Sequence, residues 1–513
     1  MIFRSLFFVP IAVCLTLLSG CSMTPEHVRP AAPIPSAWPS GEAYQSKNAG
    51  ADAPLPSDVP WQVFITDGNL RQVIEMALAN NRDLRLAILN VEQARAMYGI
   101  QQAELWPRVE TTATMAEQRM YLNFTGQTIT AKQANVNLGL AAWEIDVFGR
   151  IRSLKDRALQ DYLASEQASR SAQILLVAEV ANAYYALAAD QERLKLAKET
   201  LATQEAALRI IQRQLEVGLA TELDLKQAQS RVEAARVDIA TFTQYTAQAE
   251  NALNLLAGAP VPANLWPVDL ASVSPPRDIS AKLSSDVLLT RPDILQAEHQ
   301  LRGADANIGA ARAAFFPRIS LTSAIGTTSG SLSDLFKDGS ATWNYAPQIV
   351  MPIFDARTWM GYRVTKVQRE IAVTQYEKAI QTAFREVADA LAVRGTVDDQ
   401  EAAQQALIQT AEETYRLADL RFSKGVDNYL PVLDAQRSLY GARQGLVSIR
   451  QADLMNQVRL YAVLGGGIPT PVAEQPERAD SSEEPSAEME AVKTPTPEPQ
   501  TPAPAEIPGT ELQ

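Results

Sequence analysis

Cysteine and histidine are almost absent from this chain of 513 residues, which has two of each. Two histidines, His27 and His299, cannot build a histidine metal site, and we expect both to be packed or solvated side chains. The sequence also lacks a Gly-rich phosphate loop, a Gly-x-Ser-x-Gly motif and a His-Glu-x-x-His motif. These absences disfavour an enzyme and predict no metal and no cofactor other than a covalent lipid.

Beyond the N-terminus, the sequence has no uninterrupted apolar run of about 20 residues, the length that a transmembrane helix needs. It has no basic excess either, since 46 Lys and Arg stand against 59 Asp and Glu, so nucleic acid is not an expected partner. Much of the acidity lies in residues 471–513, which have ten acidic residues, two basic residues and nine prolines. Such a segment buries too little apolar surface to offset the entropy of ordering, so we expect 469–513 to be a disordered acidic tail.

The N-terminus resembles a bacterial lipoprotein signal. Arg4 precedes an apolar run over 6–18, and Leu18-Ser19-Gly20-Cys21 follows it. We expect 1–20 to be removed, Cys21 to carry the lipid, and 21–66 to form an extended, lipidated segment. Ser22, after the cysteine, suggests the outer membrane of a Gram-negative bacterium. An ordinary signal peptide with an incidental cysteine is the alternative.

An internal duplication organises the rest of the chain. Residues 83–109 align without a gap with 293–319 at an offset of 210, and 218–236 align with 425–443 at an offset of 207. A unit of about 200 residues is far longer than a solenoid repeat of roughly 20–50 residues. We therefore predict two structural repeats, 67–285 and 286–468, each with a helix, a strand pair and a long helical hairpin.

A change of period marks the strands in each repeat. The first helix ends at Pro107 or Pro317, since proline lacks the N–H that would continue it. Beyond each proline the apolar residues alternate with period two, which predicts strand pairs joined by loops near 120–132 and 328–341. In the first repeat the alternation changes phase at Ala141–Ala142, which indicates a β-bulge or the membrane boundary.

The helices that follow are unusually long. Residues 150–215 contain no proline or glycine, and they would span roughly 100 Å at 1.5 Å per residue. Leucine recurs at every seventh position, which predicts a coiled-coil seam. A return helix over 221–256 completes the hairpin, and the second repeat has an equivalent helix at 358–422, a turn at 425–428 and a return helix that ends at 464. The seam comprises Leu187, Leu194, Leu201, Leu208 and Leu215.

Four strands cannot close a barrel, and an open sheet would leave unpaired edges in lipid. Closure by three copies would give twelve strands. A small soluble sheet packed on helices is the alternative, because the strand signals of membrane barrels are weak.

Four motifs make a more specific resemblance, to the outer-membrane factor (TolC-like) family and its lipoprotein branch, the outer-membrane channels of multidrug efflux pumps. The resemblance covers about 21–468. The motifs are Asn81-Arg82-Asp83-Leu84-Arg85, Ala141-Ala142-Trp143-Glu144-Ile145-Asp146-Val147-Phe148-Gly149-Arg150, Gly425-Val426-Asp427-Asn428-Tyr429-Leu430 and Leu464-Gly465-Gly466-Gly467.

The resemblance implies a mainly α fold with a small transmembrane β part. Three protomers would form a twelve-stranded outer-membrane β-barrel, continued by a long periplasmic α-helical coiled-coil barrel. It also implies a passive conduit for drugs or other toxic compounds. The expected partners are two further copies, outer-membrane lipid, a periplasmic adaptor and an inner-membrane transporter of the resistance-nodulation-division type.

Three sets of residues become candidate sites. Asp419 matches an aspartate that narrows the periplasmic gate in relatives, and Arg421 would tether neighbouring hairpins; an ordinary solvated Asp/Arg pair is the alternative. The residues expected to contact the adaptor are Val217, Gly218, Leu219, Gly425 and Val426. Aromatic residues expected at the membrane interface are Trp143, Trp343 and Tyr345, with core packing as the alternative for Trp143.

Two other functions stay open from the sequence. The same architecture could serve as the exit duct of a protein or polysaccharide secretion system. A lipid-anchored coiled-coil scaffold without a pore is the third possibility, and it predicts a soluble rod once the signal and lipid are removed.

Overall fold

The computed structural model describes residues 22–45, 59–124, 126–279 and 284–466. The predicted signal peptide 1–20, the lipidation site Cys21, Gly467 and the acidic tail 469–513 lie outside the described residues. The duplicated part of the chain is therefore described almost completely.

Each repeat contributes a helix, an antiparallel strand pair and two long helices, in that order. The α-helices within the described residues are α1 (Trp61–Phe64), α2 (Gly68–Asn80), α3 (Arg82–Ala103), α4 (Arg150–Glu216), α5 (Glu222–Ala257), α6 (Pro292–Ala313), α7 (Ala356–Ser423) and α8 (Leu430–Val463). The strands are β1 (Val109–Leu122), β2 (Gln127–Ile145), β3 (Arg318–Ser329) and β4 (Ala341–Val350). Short 3-10 helices are Glu42–Tyr44, Ala263–Leu265, Leu270–Ser272, Ser285–Thr290 and Leu332–Asp334.

The long helices match their predicted bounds to within two residues at each end. Helix α4 has 67 residues and α7 has 68, so each spans roughly 100 Å. Along the predicted leucine seam of α4, Leu187 is fully buried and the other four leucines are half-buried. Helix α4 packs on its return helix α5, and α7 packs on α8, as the two hairpins require.

One stretch of α4 is long and apolar enough, by composition, to cross a bilayer. More than half of that stretch is buried inside the protomer, against the other helices. It contains Glu179, so it is not the uninterrupted apolar run that the sequence was found to lack. Burial among neighbouring helices accounts for its apolar character.

The first helix and the return helix of each repeat meet end to end. In the first repeat, the Asn81 side chain caps α3 by accepting from Leu84 N at 2.9 Å, and it donates to the Leu256 carbonyl oxygen in α5 at 3.0 Å. In the second repeat, Arg291 Nη1 donates to the Val463 carbonyl oxygen in α8 at 2.6 Å. The donors are related by the offset of 210 and the acceptors by that of 207, so the duplication includes this junction.

The four strands form one antiparallel sheet in the order β1-β2-β3-β4. The register between β2 and β3 shifts between Leu140 and Trp143, which confirms the predicted bulge. Ala142 has a φ of 44°, and it is the one non-glycine residue with positive φ among those the structure describes. The one extra residue changes the phase of the alternation, so that Leu138 and Leu140 before the bulge lie on the same face as Trp143 and Ile145 after it.

The first predicted loop, 120–132, is wrong. Strands β1 and β2 continue to Leu122 and from Gln127, with Glu117 directly opposite Lys132. These two side chains form an ion pair with a distance of 3.1 Å between Lys132 Nζ and Glu117 Oε1. Charged and small polar residues hide the period-two alternation there, although the backbone ladder continues. The second predicted loop, 328–341, is confirmed to within two residues by the ends of β3 and β4.

Residues 22–45, which we call the N-terminal strap, contain one short 3-10 helix, Glu42–Tyr44, and are docked on the helices. Both carboxylates that bind the strap are almost fully buried, Asp305 at 2% and Glu298 at 5% exposure. Because a buried carboxylate needs a partner, the contacts of Arg29 with Glu298 and of His27 with Asp305 hold the strap in one register. The docking pairs are Thr24 with Ser153, His27 with Asp305, Arg29 with Glu298, and Trp38 with Phe384.

The main core lies where the two repeats meet at mid-height of the helices. Phe64 stacks on Tyr461 with 4.0 Å between ring centroids, and Tyr184, Tyr185 and Tyr376 are fully buried nearby. Helices α1 and α2 pack into this core through their apolar faces. The result is a rigid belt from which the sheet extends in one direction and the hairpins in the other.

Candidate functional site

The two faces of the sheet have different chemistry. On one face Asn135 donates to Thr114 Oγ1 at 3.3 Å, and Gln133 donates to Thr328 Oγ1 at 3.4 Å, so polar side chains interact across three strands. The other face carries mainly apolar side chains, and many of them are exposed in the protomer. They include Val109, Met115, Leu138, Ile325, Trp343, Tyr345 and Ile349. A sheet of this kind can separate lipid from water.

By strand register all three predicted interface aromatics lie on the same face of the sheet, but at different heights. Trp343 is 79% exposed and Tyr345 is 62% exposed, and both belong to β4 close to its start. Trp143 lies elsewhere, at the base of the sheet, where it is half-buried and its Nε1 donates to the Leu105 carbonyl oxygen at 3.2 Å. The structure therefore brings Trp343 and Tyr345 together and separates Trp143 from them.

A charged cluster joins the sheet to the long helices. Glu144, near the end of β2, accepts from Arg150 Nε at 2.9 Å and lies 3.3 Å from Arg318 Nε. Hydrogen bonding to Glu144 raises the pKa of Arg150. In the sequence, Glu144 and Arg150 stood out only as part of a family motif. Their spacing of six residues across a strand-to-helix turn was the available signal for this contact.

The hairpin tips carry the predicted glycines in left-handed conformation. Gly218 has a φ of 77° and Gly425 a φ of 71°, which L-residues with a Cβ rarely adopt. Val217, Leu219 and Val426 beside them are all more than half exposed. The structure thus places three exposed apolar side chains at the two tips, where a partner protein could bury them.

Asp419 is exposed near the end of α7, one turn before the second tip. The predicted tether through Arg421 is different in the protomer: Arg421 Nη2 donates to Asp427 Oδ1 at 3.0 Å, across the turn of its own hairpin. Asp427 is only six residues away, so the short turn brings it within reach of Arg421. The position of Asp419 in a threefold ring stays a prediction.

Uncharged groups make the contacts between the two hairpins close to the tips. Gln204 in α4 donates to Gln436 in α8 at 3.0 Å, and Gln436 donates to Tyr415 Oη at 3.2 Å. Below them, Ile211 packs in an apolar cluster with Tyr429 and neighbouring residues. These residues were not predicted from the sequence, because a glutamine on a long helix has no spacing signal that separates a contact from a solvated side chain.

Neither histidine has the surroundings of a metal ligand. His299 Nδ1 donates to Gln160 Oε1 at 2.8 Å, and burial lowers the pKa of His299. His27 lies 2.9 Å from Asp305 in the strap contact. Among the residues that the structure describes, no group of three or more His, Cys, Asp and Glu side chains could hold a metal ion.

Comparisons with known proteins agree with this architecture. The family model described as outer membrane efflux protein matches residues 73–259 and 283–466, that is, both repeats. The chain is 46% identical, over 463 residues, to the toluene efflux pump outer membrane protein TtgC of Pseudomonas putida, covering 89% of this chain and 95% of the relative. It has the same identity and coverage with the antibiotic efflux pump outer membrane protein ArpC of Pseudomonas putida.

A solved structure shows the same fold. The open state of the MtrE outer membrane channel of Neisseria gonorrhoeae superposes with a TM-score of 0.77 at 34% identity, covering 87% of this chain and 98% of that one. The predicted fold class is confirmed: a mainly helical chain with a four-stranded share of a trimeric outer-membrane barrel. The chain belongs to the outer membrane efflux protein family.

Proposed function

We propose that this protein is the outer-membrane duct of a tripartite efflux pump, a passive, gated conduit with no reaction and no cofactor of its own. One observation carries the proposal. The sheet with one polar and one apolar face continues directly into two helical hairpins, each with one helix of roughly 100 Å. That length suits a tube that crosses the outer membrane and extends far into the periplasm.

Three copies complete the duct. Within the described protomer, β1 and β4 are the outer strands of the sheet, and each pairs on one side only. Lipid offers no hydrogen bonds to such edges, so a closed ring of strands is the stable arrangement in a membrane. Three protomers would give twelve strands whose polar faces line a water-filled lumen.

Small toxic compounds are the proposed cargo. TtgC is named for toluene and ArpC for antibiotics, and both are outer-membrane proteins of efflux pumps. The lumen-facing side chains on the strands are mainly Asn, Gln, Ser and Thr. These side chains hold a water channel open without selecting one solute, so the choice of substrate falls to the partners.

The proposed partners are a periplasmic adaptor and an inner-membrane transporter of the resistance-nodulation-division type. The adaptor would cover the exposed apolar tips at Val217, Leu219 and Val426. Gly218 and Gly425 would let the backbone adjust at the contact, because glycine adopts both signs of φ.

A lipid on Cys21 is the proposed anchor. The first residues of the strap support this position, since Thr24 lies against Ser153, four residues beyond Gly149 at the base of the sheet. An acyl chain attached three residues before Thr24 would reach the inner leaflet of the outer membrane. One chain gives only marginal binding, and the embedded sheet supplies the rest. Labelling with tritiated palmitate should mark the wild type and leave Cys21→Ser unlabelled.

The efflux proposal is tested in a Gram-negative strain that lacks its own outer-membrane channel but keeps the adaptor and transporter of the same operon as this chain. Expression of the full chain should restore tolerance to toluene and to apolar antibiotics. Variants Gly218→Trp and Gly425→Trp should assemble but restore nothing. Restored tolerance with both tip variants would reject the adaptor contact, and no restoration by a folded, membrane-inserted wild type would reject the efflux function.

A further inference from the structure

Two stacked aromatic rings mark the place where the repeats of one protomer meet. Phe148 and Phe316 stack with 4.9 Å between ring centroids and an interplanar angle of 23°. Phe148 directly precedes Gly149, the N-cap of α4, and Phe316 directly precedes Pro317 and β3. The pair therefore links the turn between β2 and α4 to the turn between α6 and β3.

The duplication supplies a second copy of each turn, one between β4 and α7 and one between α3 and β1. Trp106 corresponds to Phe316 at the offset of 210, and both residues stand before a Pro-Arg pair. Phe354 corresponds to Phe148, because it directly precedes Asp355, the N-cap of α7. In the protomer Trp106 is 73% exposed and Phe354 is 91% exposed, so neither ring has the cover that its counterpart has.

The order of the strands in the sheet determines where the exposed rings of Trp106 and Phe354 lie. The pairing of β2 with β3 is the contact between repeats, and the Phe148–Phe316 stack is at its base. By the duplication, β4 corresponds to β2 and β1 corresponds to β3. Repetition of the same contact around a closed ring pairs β4 of one copy with β1 of the next, and places Phe354 beside Trp106.

The helices below the sheet carry the same relation. Helix α4 packs on α6 between the repeats, so the equivalent contact is between α7 and α3 of different copies. Helix α7 presents an exposed apolar stripe with 4-3-4 spacing, which is typical of a helix–helix seam. Its members are Met360, Val364, Val367 and Ile371.

Helix α3 presents a matching apolar surface where its counterpart α6 is polar. Leu89 and Met97 are exposed, and they correspond to His299 and Asn307. Within the protomer those two polar side chains bond to α4, His299 to Gln160 at 2.8 Å and Asn307 to Arg157 at 3.2 Å. At these two positions α3 thus has apolar side chains where α6 has hydrogen-bonding ones. Apolar side chains suit a surface that another subunit buries.

We propose that Phe354 of one copy stacks on Trp106 of the next, above a seam of α7 on α3, and that this contact closes the ring of subunits. The proposal rests on the trimeric duct proposed above and names the side chains that hold it together. The occupant is a second copy of this chain and not lipid.

Thiol cross-linking of the full-length chain tests the contact. The chain has only two cysteines, Cys14 in the signal and Cys21, so introduced cysteines can be followed cleanly. We expect the double variant Trp106→Cys/Phe354→Cys to give covalent dimers and trimers with a short bismaleimide, and neither single variant to do so. In the matched control, Phe148→Cys/Phe316→Cys, the bismaleimide should link two thiols of the same chain. Both thiols should then be consumed, and the product should migrate as a single chain.

Two outcomes would overturn the proposal. The first is a double variant that is trimeric by light scattering but gives no linked species, although the control pair reacts. This result would reject the Trp106–Phe354 contact and would leave the trimeric duct standing. The other is stronger quenching of the wild type than of Trp106→Phe by brominated lipid, which would place the Trp106 ring in the bilayer. A wild type that is monomeric by light scattering would instead reject the trimeric duct itself.

Substitutions at Trp106 give an independent measurement. Trp106→Phe reproduces the ring pair found within the protomer, so it should keep the heat-resistant trimer on gels. Trp106→Ala removes the stacking surface and should lose that species at a lower temperature. Equal resistance of the Ala and Phe variants would contradict the contact.

Discussion

At the scale of single residues, Arg291 has several partners at the helix junction of the second repeat. Besides the Val463 carbonyl, it pairs with Asp293 at 2.6 Å and with Glu386 at 3.1 Å, and only 10% of its side chain is exposed. It therefore joins α6, α7 and α8 at one point. The equivalent Asn81 performs the junction bond in the first repeat without charge.

Arg291→Ala should destabilise the protein by about 2 kcal/mol, because the partly exposed carboxylates of Asp293 and Glu386 and the Val463 carbonyl oxygen lose a charged hydrogen-bond donor. Asn81→Ala is the matched control and should cost about 1 kcal/mol, as for the loss of a helix cap. The measurement is the thermal midpoint of the helical circular dichroism of the detergent-purified protein. Equal shifts in the two variants would contradict the role of the charge.

His299 should make stability depend on pH. Burial, aided by Arg302, lowers the pKa of His299 in the folded protein, while Glu298 and Glu166 oppose the shift. The unfolded chain then binds the proton more readily, so stability is present above the ordinary histidine pKa of about 6.5 and falls as the pH drops below it.

His299→Gln should remove this part of the pH dependence, since glutamine keeps a donor for Gln160 and does not titrate. Thermal midpoints measured from about pH 8 to about pH 5 should fall more steeply for the wild type than for the variant. Parallel curves would show that His299 contributes nothing to the acid sensitivity.

At the scale of secondary-structure elements, the bulge in β2 concentrates backbone strain at one residue. Ala142 has a φ of 44°, and the left-handed region costs an L-residue roughly 1–2 kcal/mol. The bulge shifts the register between Leu140 and Trp143, which lets Glu144 reach Arg150. The strain is therefore tied to the contact that joins the sheet to α4.

Ala142→Gly should stabilise the protein by up to about 1 kcal/mol, because glycine adopts positive φ without steric cost, less the entropy it adds to the unfolded chain. Ala141→Gly next to it is the control and should destabilise instead, since Ala141 is not left-handed. Both are measured by thermal unfolding of the purified protein. Stabilisation by Ala141→Gly of the same size would contradict the assignment of strain to Ala142.

At the scale of the whole molecule, the proposed duct should be mostly closed when isolated. Planar-bilayer recordings of the full-length protein should show small, cation-preferring conductance, because three copies of Asp419 would face one another at the narrow end. Asp419→Ala should then raise the conductance or weaken the cation preference. Unchanged conductance together with unchanged preference would reject the acidic ring.

Glu413→Ala is the matched control for the recordings. Glu413 lies six residues before Asp419 on the same helix, which places it about 120° away around the axis, and it pairs with Arg416 at 2.7 Å. We expect it to leave both the conductance and the cation preference unchanged. An equal effect of the two substitutions would indicate a general loss of negative charge and not a ring at Asp419.

The sequence by itself determined the duplication, the order of elements in each repeat and the bounds of the long helices. These follow from local physics: proline ends a helix, glycine permits a left-handed tip, and apolar periodicity reports the face that is buried. The phase change at Ala141–Ala142 likewise located the bulge, because one extra residue in a strand exchanges the faces of all later odd- and even-numbered positions.

Only the tertiary structure decided which side chains meet. Within the protomer, Trp143 donates to the Leu105 carbonyl oxygen and Arg421 pairs with Asp427 of its own turn, and neither partner was predicted from the sequence. The outer part of the β1–β2 hairpin was taken as a loop because its charges hide the alternation. Such contacts depend on distances between segments far apart in the chain, and periodicity within one segment carries no information about those distances.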